Sequence, residues 1–352
     1  KNRNYAAFEF FPDFLKKGLD VSPIHMPISD SDRKIYSFHT LNEETYKGLP
    51  GLLSDVLPDD FGNQLINRWL SINNINRDEF TPLDRLCYIG SRGMGALEFE
   101  PATNKKFRES TTIEIDKLVH LTQQVLDQRQ SLKLNIEEAE SLNELIKVGT
   151  SAGGQRAKAI IAYNKDTGEI RSGQSDVPKG FEHYLFKFDG VEDTTLKDPK
   201  GYGRIEYAYY LMALEAGVEM MPSKLFEGKS GAPYFGTKRF DRNGKQRLHV
   251  HSASGLLHDD FRYSQLDYGH LLDAAFQLTR HVKAYEKVMS LAAFNLYSHN
   301  RDDHSKNFAF LMDDKGNWKF APAYDLTFST SSHGHHSTSF AGESLAPTQK
   351  HL

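Results

Sequence analysis

Residues 299–325 constrain the fold more than any other stretch of this chain. His299-Asn-Arg-Asp-Asp-His-Ser-Lys-Asn307 is too polar and too irregular to be a core helix. Before it, 282–297 is rich in Met, Leu, Ala and Phe and reads as a buried helix. After it, Asn307 opens the apolar run Phe-Ala-Phe-Leu-Met312, which reads as a strand. Asp313-Asp-Lys-Gly316 supplies hairpin-turn chemistry, and Trp318 to Ala321 is the returning strand. It delivers Asp325 just past Pro322. Such a hairpin brings Asn307 and Asp325 to the same end, with Asp302 on the loop that leads in.

Phosphoryl transfer needs this set of groups. One carboxylate orients the attacking hydroxyl and accepts its proton, while an amide oxygen and a second carboxylate hold Mg²⁺ against the phosphates. The Asp302-to-Asn307 spacing matches a kinase catalytic loop, and Asp325 takes the part of the Asp in Asp-Phe-Gly. Lys306 could neutralise charge on the transferring group. His304 is read as ordering the loop. Asp303 is an unusual residue directly after the expected base. The competing reading is a surface hairpin with ordinary turn acids.

Composition bounds the class. The chain has 352 residues, enough for two or three lobes, with 39% hydrophobic and 26% charged residues. A net charge of −4 gives no global basic field for direct nucleic-acid binding. The single cysteine, Cys87, excludes an internal disulfide and suits a reducing cytoplasm. No stretch has the apolar length of a membrane span, and no signal peptide is present, so a cytoplasmic location without membrane partners is expected. The chain starts at Lys1 and stops at Leu352; both ends read as trimmed.

Residues 5–58 read as short strands and loops, with a strand at Ala6 to Phe11 and punctuation by Pro23, Pro27, Pro50 and Pro58. Asp59 or Asp60 caps a helix through Leu65, Ile66, Trp69 and Leu70, and Pro82 to Ile89 is a second helix. Gly93 and Gly95 are read as a tight turn rather than a nucleotide loop. Ile115, Leu118, Leu121, Thr122 and Val125 make one amphipathic stripe; Ala139, Leu142, Leu145 and Ile146 make another. Gly149-Thr-Ser-Ala-Gly-Gly-Gln-Arg-Ala-Lys158 runs into a strand. Its backbone N–H groups could nest phosphate oxygens beside Arg156 and Lys158, or it is a plain glycine hairpin.

Lys187 is a cation in the alternating strand His183 to Phe188. It is either an outward-facing surface residue or the ATP-phosphate lysine of a kinase small lobe. Glu206, in the first turn of the next helix, could pair with it or be solvated. Lys238-Arg-Phe-Asp-Arg242 ends a strand pair where a kinase hinge would lie. His333, His335 and His336 lack the spacing of a zinc site. Residues 329–339 read as a mobile loop after Asp325.

His-Asn-Arg-Asp-Asp-His-Ser-Lys-Asn-Phe followed by Ala-Pro-Ala-Tyr-Asp-Leu-Thr-Phe-Ser resembles the kinase signature of HipA-type toxins, serine/threonine kinases of bacterial toxin–antitoxin modules. Gly48-Leu-Pro-Gly and Leu57-Pro-Asp-Asp resemble their N-terminal part, so the likeness spans most of the chain. It implies an α/β, two-lobed protein kinase-like fold with an extra β-rich N-terminal subdomain and a mainly helical C-terminal lobe. The divisions would be 1–110, 111–244 with the phosphate loop, ATP lysine and hinge, and 245–352, with ATP and Mg²⁺ in the cleft. Asp302 would be catalytic, and Asn307 and Asp325 would hold the metal. ATP contacts would come from Ala152, Gly153, Gly154, Gln155, Arg156, Lys158, Lys187, Lys238, Arg239, Phe240, His304, Lys306, Asn307 and Tyr324, with Asp241 near the ribose. Ser151, or Thr150 beside it, would be autophosphorylated, setting negative charge against the ATP phosphates. The resemblance further implies a HipB-like helix-turn-helix antitoxin, contact with DNA only through it, and a protein substrate of the translation machinery such as an aminoacyl-tRNA synthetase. Two alternatives stand beside this: a small-molecule phosphotransferase, and an inactive kinase-fold corepressor.

Overall fold

The computed structural model describes residues 5–30, 35–103, 110–127, 142–143, 145–146, 148–149, 157–174, 177–188, 201–229, 231–331 and 334–352. They form two compact units that are not consecutive stretches. One comprises residues 56–208 and 222–246, the other 1–55, 209–221 and 247–352.

The 56–246 unit is built on a five-stranded antiparallel sheet in the order Ile170–Ser172, Lys158–Tyr163, Glu182–Lys187, Pro233–Lys238, Ser223–Glu227. Its register sets Ile161 opposite Tyr184 and Ala159 opposite Phe186. Side chains alternate along a strand, so these four share a face. There they join Phe61, Leu65 and Ile66 of helix Asp60–Ile72 and Leu118 of helix Ile115–Asp127 in one core. The Phe226 ring lies over Gly236, where a Cβ would sit 2.4 Å from it; only glycine lets the two strands pair under that ring. Both early helices are capped as their sequences require. Asp59 accepts from Gly62 N–H at 2.6 Å, and Thr81 and Asp84 form a reciprocal capping box.

The 247–352 unit has a three-stranded antiparallel sheet in the order Trp318–Phe320, Ala309–Met312, His249–Ser252. All four residues of the middle strand are buried, as its unbroken apolar run requires. Asp313 makes the turn: its carboxylate accepts from Lys315 N–H and Asn317 N–H, each at 2.9 Å, and Gly316 takes φ +83°. Helices Tyr268–Thr279 and Val282–Tyr297 pack against each other and against the returning strand. The helical turns Gly51–Ser54 and Ala253–Leu257 meet through glycines. A Cβ on Gly51 would fall 2.0 Å from the Gly255 carbonyl oxygen. This contact brings Asp55 onto the sheet, where it accepts from His251 Nδ1 (2.8 Å), Ser252 N–H (2.8 Å) and the Ser252 hydroxyl (2.6 Å).

The β-rich character expected of residues 1–110 is not found among the described residues. Ala6 to Phe11 contributes only an isolated bridge, Phe8 to Tyr36. Pro12 lacks an N–H for a ladder and instead starts the helical turn Pro12–Leu15. Asn42 and Pro50 each precede a further helix, so Pro50, read as punctuation between strands and loops, is helix-starting chemistry, while the helices after Asp59 and Thr81 are where the sequence reading put them.

Candidate active site

The loop set of candidate residues begins where helix Val282–Tyr297 ends. His299 turns the chain at φ +56°, and Asn300 folds back to bond Asn295 through both backbone (3.0 Å) and side chain (2.9 Å). Asp302 follows with its side chain about half exposed (52%). The 3₁₀ turn Ser305–Asn307 then closes the loop, with Asn307 N–H bonded to the His304 carbonyl at 2.8 Å. Asn307 Nδ2 donates to the Asp302 carbonyl at 2.7 Å. With its nitrogen so committed, the atom Asn307 can offer a cation is the amide oxygen.

Asp325 arrives by the hairpin register, in which Phe310 faces Phe320 and Ala321 N–H bonds the Ala309 carbonyl at 2.9 Å. It is half-buried and sits at φ +57°, a left-handed conformation unusual outside glycine and most tolerated by Asn and Asp. Next to it, the Tyr324 hydroxyl donates to the Lys306 carbonyl at 2.6 Å, tying the strand exit to the catalytic loop. Burial first, then Asp55 and Asp325, push that phenol well above its usual value, so it remains a neutral donor. Lys306 Nζ lies 4.7 Å from the Phe261 ring centroid, and the same ring packs on His304 at 5.6 Å. His304 Nε2 is 3.8 Å from Asp302 Oδ1, too long for a hydrogen bond. The Mg²⁺ ligand types fit: a carboxylate and an amide oxygen are hard donors, and Mg²⁺ commonly takes one or two protein ligands beside phosphate oxygens.

A second set of candidate residues, on strands, lies in the other unit. Lys158 and Lys187 stand directly opposite each other on neighbouring strands, on the sheet face turned away from the main core. Both are nearly buried, at 4% and 9% exposure. Like charges so placed destabilise a sheet unless anions answer them. Glu206, in helix Tyr202–Glu215, supplies one: Lys187 Nζ lies 2.8 Å from each of its carboxylate oxygens. Of the two readings of Glu206, the paired one is what the fold contains.

At the hinge stretch, Lys238 N–H bonds the Pro222 carbonyl (2.9 Å) and Arg239 N–H bonds the His183 carbonyl (2.8 Å). Any adenine edge read at these two residues would therefore meet their carbonyl oxygens. Asp241 does not fit beside a ribose. It is fully buried and accepts from Arg239 Nε (2.8 Å) and Nη2 (2.7 Å), from Arg242 Nη1 (2.7 Å) and from Gly95 N–H (2.7 Å). Burial would raise its carboxyl; the two guanidinium charges overcome that and hold it down at about 2. Arg242 also donates to the Gly93 and Gly95 carbonyls, so the Gly-x-Gly stretch is a clip on the hinge.

Thr150, Ser151, Ala152, Gly153, Gly154, Gln155 and Arg156 lie outside the described residues, as do Ala139 and His333. Among the described residues no cluster of three or more His, Cys, Asp or Glu side chains is arranged for a metal, and His336 is engaged elsewhere, on Asp303. The described residues of 329–339 are tied to the loop before them. Ser329 N–H bonds the His299 carbonyl, Arg301 bonds the Gly334 carbonyl, and Ser337 and Thr338 are bonded to Asp303. Sequence reasoning noted Asp303 only as unusual, without its role, and missed Asp55. Neither carries a local signal, since their partners lie 30 or more residues away along the chain.

Among the described residues no helix is long and apolar enough to cross a membrane. A family model described as the HipA-like C-terminal domain matches residues 150–351, and one described as the HipA N-terminal domain matches residues 1–100. Y4mE of Sinorhizobium fredii (strain NBRC 101917 / NGR234), named as a kinase by inference, is 31% identical over 145 residues. That match covers 35% of this chain and 32% of the relative, about a third of its length. A chain of the Shewanella oneidensis MR-1 toxin–antitoxin complex of HipA, HipB and operator DNA superposes with a TM-score of 0.63 at 16% identity. The superposition covers 97% of this chain and 77% of that one, a likeness of fold. The chain belongs to the HipA family, and its fold is the α/β kinase-like fold of that family.

Proposed function

We propose that the protein is an ATP-dependent serine/threonine protein kinase, the toxin of a HipA/HipB-like module. The observation that carries this reading is the loop set of candidate residues. Asn307 is locked to the Asp302 carbonyl, and Tyr324 is bolted to the same loop beside Asp325. Asp302 orients the acceptor hydroxyl and takes its proton, aided by its exposure at the loop surface. Asn307 and Asp325 would hold Mg²⁺, which supplies charge neutralisation on the phosphates. Lys187, kept in place by Glu206, and Lys158 opposite it bind the phosphates. Backbone groups of Lys238, Arg239 and Phe240 serve the adenine, and His304, Lys306 and Tyr324 shape the loop around the transferred group. Catalysis is then mainly positioning and electrostatics.

Ser151, with Thr150 as the alternative, is the proposed autophosphorylation site. A HipB-like DNA-binding antitoxin is the proposed partner, supported by the kind of complex in which the matched Shewanella chain was solved. A component of the translation machinery is the proposed substrate. The test is transfer of labelled phosphate from ATP with Mg²⁺, by the chain alone and then with a cell lysate, against an Asp302→Asn control. Label on residue 150 or 151, or on one lysate protein, absent in the control, supports the proposal. ATP consumed only with small-molecule acceptors replaces it with a metabolite or antibiotic kinase. No transfer at all leaves a corepressor.

A further inference from the structure

Asp303 follows the proposed base directly but points into the protein: it is 1% exposed, beside an Asp302 side chain that is half exposed. Its carboxylate is saturated. Oδ2 accepts from the Tyr268 hydroxyl (3.0 Å) and faces His336 Nδ1 (3.0 Å); Oδ1 accepts from Ser337 N–H (2.8 Å) and Thr338 N–H (3.3 Å). Its carbonyl accepts from the Thr338 hydroxyl. His336 Nδ1 is placed to donate to this carboxylate, alongside the phenol and the two backbone amides. Tyr268 in turn accepts from Asn295 Nδ2 (2.9 Å), and Asn295 accepts from Asn300 Nδ2 (2.9 Å). Four pieces of chain thus converge on one buried anion: the start of helix Tyr268–Thr279, the end of helix Val282–Tyr297, the loop bearing Asp302, and the segment that follows Asp325.

In regulated kinases, the segment after the metal-binding Asp is ordered when a phosphate is added to it and is gripped by arginine. Here the polarity is reversed. The anion is a resident carboxylate on the catalytic loop, and the donors are the imidazole and backbone amides of the segment. We propose, on the basis of the kinase reading above, that Asp303 is a positioning residue for phosphoryl transfer. It latches 336–338 onto the catalytic loop, so the loop is set without any phosphate on that segment. Asp303 touches no substrate; it acts by holding the peptide whose carbonyl receives Asn307 and whose side chain is the base.

The test uses the whole chain and measures kcat and the KM for ATP in the labelled-phosphate assay. Asp303→Asn is expected to lower kcat about 10²-fold, as a misplacement near 1 Å does, with the KM for ATP within about twofold. Because that variant can fail to fold, His336 gives a second reading. His336→Leu removes one donor while leaving the carboxylate and both amides, and is expected to lower kcat about tenfold, since general-base efficiency follows placement. His336→Asn, whose amide nitrogen falls near Nδ1, is expected to restore most of it. Mass spectrometry of the wild-type chain should find full activity without phosphate on 327–343. An active wild type with Asp303→Asn or His336→Leu within about twofold of it in kcat overturns the proposal. So does a His336→Asn variant as slow as His336→Leu, or activity that requires phosphate on 327–343. A wild type that never transfers phosphate, judged against a known kinase in the same assay, overturns the kinase reading itself and this proposal with it.

Discussion

The two sets of candidate residues, one in each unit, are built by opposite means. Lys158 and Lys187 take their places from sheet register and regular alternation, and the charge on Lys187 is answered by Glu206. Asp302, Asn307 and Asp325 take theirs from loops whose backbone is held by Asn295, Tyr324 and Asp303. The strand set spends ion pairing to keep cations buried. The loop set spends hydrogen bonds on its peptide groups and leaves its acids at or near the surface. A group held through its own charge loses its place when the partner's charge is removed. A group held through its backbone can lose its charge and stay where it was.

The largest effect should separate the two loop acids. Asp302→Asn and Asp325→Asn are each expected to lower transfer about 10³-fold. Only Asp325→Asn should remove the Mg²⁺ dependence of nucleotide binding, read by fluorescent-nucleotide titration at several Mg²⁺ concentrations. Identical behaviour of the two would erase the assigned division between base and metal ligand. The strand-bearing unit is tested by Asp241→Ala, which strands Arg239 and Arg242 in the interior and should cost about 3 kcal/mol in denaturant unfolding. A loss below about 0.5 kcal/mol would show that the guanidinium groups relax to water. Glu206→Gln leaves Lys187 without its anion and should raise the KM for ATP about thirtyfold, with a smaller change in kcat. An unchanged KM would mean that sheet register alone fixes the lysine.

The smallest effect is a pH dependence. Burial, then the charge of Arg239, lowers His183 from 6.5 to about 4, while its Nδ1 faces the Gly173 carbonyl at 2.8 Å. The unfolded chain protonates this residue near 6.5, so its contribution is fully present above that pH and is lost as pH falls toward 4. The expected loss is about 1 kcal/mol between pH 6.5 and 5.5, absent in a His183→Asn variant measured alongside.

This contrast also explains what could be read before the structure. Strand alternation announced the strand that bears Lys187, and helix-start chemistry announced the helices after Asp59 and from Pro82, because each depends on neighbours a few residues away. The 313–316 turn brought the returning strand back alongside the first for the same reason, and Tyr324 then bonds the Lys306 carbonyl. Asp303 and Asp241 had no such advertisement. Both look like solvated loop acids until residues 336–338, or Gly95 and two arginines, arrive from elsewhere in the chain. The N-terminal residues misled in the other direction, because prolines and short polar residues that interrupt strands also begin helices.

The interleaved composition of the two units has a consequence for synthesis on the ribosome. Residues 56–208 and 222–246 are in hand well before the last of the chain, and their sheet can close early. Residues 1–55 emerge before them, yet the unit they belong to waits for Arg247 onward. At 5–20 residues per second that wait is about 10–40 s. When Arg247 emerges the nascent chain already has Lys158 and Lys187 but neither Asp302 nor Asp325, so the proposed base and metal ligand follow the sheet. A product released at that point would carry the strands proposed to bind nucleotide without the proposed base.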